Sequence, residues 1–98
     1  MQSVTDEVLE QFKSYMKITH GSEDNSLKRL LFSSYLRIKD LCGDFSLDEE
    51  GIGKDLVFGR ARYMYNDALE YFEPNFLTLI NGFALSNLPD EVIKDEEV

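Results

Sequence analysis

The chain predicts an all-α fold, a small bundle of about four helices. Three observations lead there. Apolar residues recur at three- and four-residue spacing in four separate stretches, and no alternating run is long enough to hold a strand. The stretches are separated or interrupted by Gly21, Gly43, Gly51, Gly53 and Pro74. A hydrophobic fraction of 43% and an aromatic fraction of 12% over 98 residues fit one folded domain rather than a disordered chain.

The first helix is placed at roughly residues 5–17. Thr5 is a good N-cap, and Asp6 and Glu7 fall in the first turn, where the helix dipole favours acids. Val8, Leu9, Phe12, Tyr15 and Met16 make one stripe. The second helix is placed at roughly residues 23–42, capped by Ser22, Asp24 or Asn25. Leu27, Leu30, Leu31, Ser34, Tyr35, Ile38, Leu41 and Cys42 share a broad face, and Gly43 stands where a left-handed C-cap is expected. Phe32 and Leu36 lie off that face, one turn apart, and predict a second contact. From Asp44 to Gly53 the periodicity is lost among acids and glycines, so a mobile acidic loop is expected, pinned locally by Phe45, Leu47 and Ile52.

The third helix is placed at roughly residues 54–73, with Val57, Ala61, Met64, Ala68, Tyr71 and Phe72 toward the core. Leu56, Phe58, Arg62, Tyr63 and Leu69 widen its apolar arc beyond one helix–helix contact. Pro74 should end or kink it and bias Glu73 away from helical geometry. A short fourth helix at roughly residues 75–86, able to begin with Pro74 in its first turn, would bury Phe76, Leu77, Ile80, Phe83 and Ala84. Residues 1–88 thus read as one helical domain and residues 89–98 as a flexible acidic tail.

The net charge is −9, unevenly placed. Residues 40–55 hold six acids and one base, residues 89–98 hold five acids and one base, and the remainder is neutral. A free-standing nucleic-acid binder needs a basic surface to release phosphate counterions, and none is visible. Cys42 is the only cysteine, so no internal disulfide forms, in keeping with a reducing compartment. The opening residues carry neither a basic nor an apolar region, so no secretory signal is expected, and no apolar run approaches a membrane span.

Motifs for chemistry fail one by one. Gly51-Ile-Gly53-Lys54 lacks the upstream glycine of a phosphate loop, Asp48 standing there, and Asp55 replaces the magnesium-holding hydroxyl. An EF-hand begun at Asp44 has Glu49 where glycine must turn and Asp55 where a bidentate glutamate must close the site. His20 has no second histidine or nearby cysteine for zinc, and no nucleophile motif around it. The acid pairs Asp48/Glu49 and Glu96/Glu97 lie in exposed segments with no pocket to raise a pKa. No catalytic, metal or cofactor-binding residue is therefore assigned, and an enzyme is not expected. Arg60 and Arg62 with Tyr63 and Tyr65 read equally as an interface patch, since Arg and Tyr are enriched at protein contacts, or as a helix face paired to Asp67 and Glu70.

The run Arg62-Tyr-Met-Tyr-Asn-Asp-Ala-Leu-Glu-Tyr-Phe72, with Asn75-Phe76 and an apolar segment after it, resembles the C-terminal helix signature of gp6-like head–tail connector proteins of tailed bacteriophages. More loosely, Glu10–Ile18 followed by Glu23-Asp24 is similar to that family's opening helix and turn, and Leu30–Gly43 to its second helix. The resemblance spans about residues 4–88. It implies a structural protein without catalysis. Copies would form a ring beneath the portal protein, extend the DNA channel and dock the next head-completion or tail protein. Genomic DNA would pass through unbound, and the protein would reside at the head–tail junction of the virion after assembly in the bacterial cytoplasm. Pro74 departs from the pattern and would shorten the third helix. On this reading Phe32, Leu36, Phe58, Arg60, Arg62 and Tyr63 are candidate subunit or partner contacts, and Asp44, Asp48, Glu49 and Glu50 a channel- or partner-facing loop. The alternative is a small acidic regulator that mimics DNA on a basic protein.

Overall fold

The computed structural model describes residues 4–88. The tail expected at residues 89–98 lies outside them. Four α-helices appear in order: α1 Asp6–Met16, α2 Asp24–Cys42, α3 Ile52–Tyr65 and α4 Phe72–Ser86, with a single 3-10 turn at Leu69–Tyr71 before α4. No strand occurs among the described residues.

Helix α1 begins where its cap residue placed it. The Thr5 hydroxyl accepts from the Val8 amide at 3.2 Å, and Asp6 and Glu7 follow in the first turn. The helix ends earlier than Gly21. Lys17 takes a left-handed conformation, and the Ile18 amide reaches back to the Lys13 carbonyl at 2.8 Å, the closing bond of a Schellman cap. Helix α2 has no side-chain N-cap bond, contrary to the three candidates the sequence offered. Its C-terminus falls at Gly43 as expected, but not as a left-handed cap: Gly43 has φ 97°, ψ 179°, an extended positive-φ backbone open essentially to glycine alone.

The layout places α3 at the centre. It packs principally on α2, and α4 lies across both. Gly53, Lys54, Leu56, Val57, Phe58, Gly59 and Ala61 are all buried, so most of its circumference is enclosed. The core is completed by Val8, Leu9 and Phe12 of α1, by Leu27, Leu31 and Ile38 of α2, and by Phe72 and Ile80 of α4. Salt bridges tie the helices at their edges. Lys28 meets Asp6, and Lys13 meets Asp24, each at 2.8 Å, joining α1 to α2. Arg37 grips the Glu73 carboxylate with two nitrogens at 2.9 and 3.3 Å, joining α2 to α4.

Two expectations at the α3–α4 junction are corrected. The third helix does not run to residue 73. It stops at Tyr65, because Asp67 turns left-handed (φ 59°) and the Ala68 amide closes on the Tyr63 carbonyl at 2.8 Å. Glu73, expected to avoid helical geometry, is helical, whereas Pro74 does stand in the first turn of the fourth helix as read: it is the third residue of α4, where its missing amide has no intrahelical partner to lose. Ending α3 early leaves Tyr71 exposed instead of in the core.

The acidic loop is held at its base rather than free. Phe45 sits between the Tyr35 and Phe83 rings, with centroids 5.2 and 5.5 Å away. Tyr35 donates its hydroxyl to the Phe45 carbonyl at 3.1 Å, and Leu47 is buried. The Asn87 side-chain amide donates to the carbonyls of Cys42 and Asp44 at 2.9 and 2.8 Å. Gly53 makes this packing possible: a Cβ there would overlap the Phe45 ring. Ile52, expected to help pin the loop, is exposed.

Candidate interaction surface

Helix α4 differs from the rest of the molecule in composition. From Pro74 to Leu88 the chain carries no charged residue. Phe72, Phe76, Ile80 and Phe83 turn toward the core, as their spacing dictates. The other sides of the helix are also apolar, and they are bare. Leu77 is 53% exposed, Leu85 66%, and Leu79 and Leu88 are exposed as well. Soluble surfaces scatter single leucines freely, but Leu77, Leu85 and Leu88 share one side of the helical course by their spacing and form an uncharged patch, while Leu79 stands on the opposite flank.

Beside α4 lies an open apolar groove, walled by Phe76, Leu79 and Phe83 on one side and by Ile52 at the start of α3 on the other. Gly82 leaves bare backbone in its lining, since a Cβ there would meet no atom within 4 Å. At its Ile52 and Phe83 end the groove runs into a second hollow lined by Asp44, Glu49 and Glu50. Asp44, Asp48, Glu49 and Glu50 are all exposed there, as the sequence placed them. Glu50 pairs with Lys54 at 2.9 Å and Asp44 with Lys39 at 3.7 Å. Asp48 and Glu49 have no cation partner among the described residues.

The six helix residues proposed as contacts separate on folding. Leu36 is 47% exposed and Arg62 is exposed. Phe32 is half-buried against the core. Tyr63 packs edge-on to Phe72 and Phe76 at 5.7 and 5.6 Å, and its hydroxyl accepts from Asn75 at 3.3 Å. Arg62 and Tyr63 line a shallow cleft with Asn66, Ala68 and Phe76.

Phe58 and Arg60 turn inward. Phe58 is only 8% exposed, enclosed by the Phe12 and Tyr15 rings at 5.3 and 5.6 Å, because α1 folds over that flank of α3. Arg60 points between α2 and α3. Its Nη1 donates to the Ser34 hydroxyl and lies beside the Met64 sulfur, both at 3.3 Å, while its buried Nε has no partner. Burial, and then the Arg37 guanidinium, disfavour its charge, and Glu73 favours it. The Arg37 hydrogen bond, aided by the charges of Arg37 and Arg60, holds the Glu73 carboxyl below its ordinary value against the pull of burial. These groups lock the helices together and leave little for a partner.

The α4 face was missed, although its signal was in the sequence. Leu79 and Leu85 lie outside the side predicted to be buried, and no charge interrupts the helix. Groups with chemical potential are few. Cys42 donates its thiol to the Ile80 carbonyl at 3.5 Å, and burial pushes its pKa up. No group of three His, Cys, Asp or Glu side chains among the described residues is arranged to hold a metal. No helix of the described residues is long and apolar enough to cross a membrane. No known protein family, curated protein or solved structure matches the chain.

Proposed function

We propose that this chain is a non-catalytic assembly subunit of the phage head–tail connector kind. The observation that carries the reading is the bare, uncharged face of α4. Hiding half of a leucine side chain from water is worth about 1 kcal/mol, so Leu77, Leu85 and Leu88 together offer a few kcal/mol to whatever covers that side. A protein with marginal stability gains nothing from that surface alone, whereas an assembly subunit does. The particular assembly is carried over from the likeness of Arg62–Phe72 and Asn75-Phe76 to the connector signature.

In this reading, copies close into a ring through two different faces of each subunit. The ring sits under the portal protein in the virion, continues the DNA channel and receives the next head-completion or tail protein. The net charge of −9 lets DNA slide past without sticking. No cofactor and no turnover are involved.

The test is to mix purified full chain with portal rings from the same phage and image the product. Added ring-shaped density on the DNA-exit side is the expected result. A chain that stays apart from the portal, yet forms a salt-sensitive complex with a basic DNA-binding enzyme, would replace this reading with the acidic-regulator one.

A further inference from the structure

The groove between α4 and the start of α3 has a chemistry of its own, whichever assembly the chain joins. Its walls are Ile52, Phe76, Leu79 and Phe83, and part of its lining is the bare backbone at Gly82. Its rim at one end is net acidic beside the shared residues Ile52 and Phe83: Glu50 is paired with Lys54, and Glu49 has no cation partner among the described residues. The α4 wall contributes no charge of either sign. The groove follows α4 from Asn75 to Ser86, about 17 Å at the helical rise.

We infer that this groove is the docking site for a basic amphipathic helix of another protein, its apolar stripe on Leu79 and Phe83 and its Lys or Arg end over Glu49. Three physical arguments select that occupant. Both walls are helical, so their backbone groups are already paired and cannot receive an added strand. The occupant must therefore satisfy its own backbone, as a helix does. The acidic rim rewards a cation and repels nucleic acid and anionic lipid headgroups. A second copy seated groove to groove would bring its own acidic loop against this one, a like-charge approach.

The test uses full chain labelled with nitrogen-15 and a synthetic amphipathic leucine–lysine peptide of about 18 residues, five helical turns. A leucine–glutamate twin with the same apolar pattern is the control. The expected result is saturable binding of the lysine peptide, with amide shifts concentrated at Ile52, Leu79, Gly82 and Phe83. Binding should weaken about tenfold or more in Leu79→Glu and in Glu49→Lys, and for the glutamate twin. Both substitutions are at exposed positions, and thermal melts check that each variant is folded. Equal binding of the two peptides, shifts centred on the Arg62–Tyr63 cleft, or insensitivity to both variants would overturn the inference. So would sedimentation showing the groove already filled by a second copy, or avid binding to anionic phospholipid vesicles. Portal binding is measured separately, so the connector reading can fail while the groove stands, and the reverse.

Discussion

Helices α3 and α4 are close in length and neighbours in the fold, yet they meet water differently. Helix α3 carries four charged residues and is enclosed around most of its circumference. Helix α4 carries one, at Glu73, and only Phe72 and Ile80 of its fifteen residues are fully buried. The more apolar helix is the more exposed. Position, not composition, decides this: α3 lies in the middle with α1, α2 and α4 around it, and its small residues Gly53, Gly59 and Ala61 let side chains close on its backbone. Helix α4 lies on the outside with one neighbouring layer. The contrast teaches that greasy sequence is a demand for cover, which this chain meets for α3 and leaves unmet for α4.

The same truncation in each helix tests that contrast. Leu56→Ala in α3 removes a fully buried side chain and should cost about 2–5 kcal/mol in a denaturant titration. A cost below 1 kcal/mol would mean α3 is not the centre. Gly53→Ala should cost about 1–3 kcal/mol, because the new methyl displaces the Phe45 ring from its seat between Tyr35 and Phe83. Gly82→Ala, by contrast, should stabilise the fold by up to about 1 kcal/mol, since nothing stands in the way and alanine favours helix.

The α2–α4 tie sharpens the comparison through pH. Glu73 has a lowered pKa when folded, chiefly from its Arg37 hydrogen bond. Its contribution is therefore full above the ordinary glutamate range and is lost as pH falls through the folded value. Glu73→Gln should lower stability by about 0.5 kcal/mol at neutral pH, small because both side chains reach water. The difference from wild type should shrink on acidification; a difference that grows toward low pH would reverse the assignment. The smallest effect is reserved for the outer face: Leu85→Gln should change stability by less than about 0.5 kcal/mol while raising solubility at high concentration. A large loss would show that Leu85 is covered within the chain.

The helical class, the Thr5 cap, the α2 face and the Gly43 stop were legible in the residues, because caps and periodicity act within a few residues of one another. The end of α3 was not. Asn66 and Asp67 are weak stop signals beside Pro74, and the Schellman closure there uses a left-handed aspartate that no local rule demands. The candidate site was half legible. Leu36, Arg62 and the loop acids are exposed as read, whereas Phe58 and Arg60 turned inward because α1 and α2 happen to cover their flanks of α3.

By itself, then, the amino-acid order determined that this protein is a small helical bundle with its negative charge gathered in a loop and at residues 89–98. Only the tertiary arrangement decided which apolar residues are spent inside and which remain outside. Periodicity specifies a face for each helix, but enclosure depends on how many neighbours that helix has in space. Helix α3 is closed in by α2, by α4 and by the rings of α1 on Phe58, whereas α4 packs on α2 and α3 from one side, so its leucines stay in water.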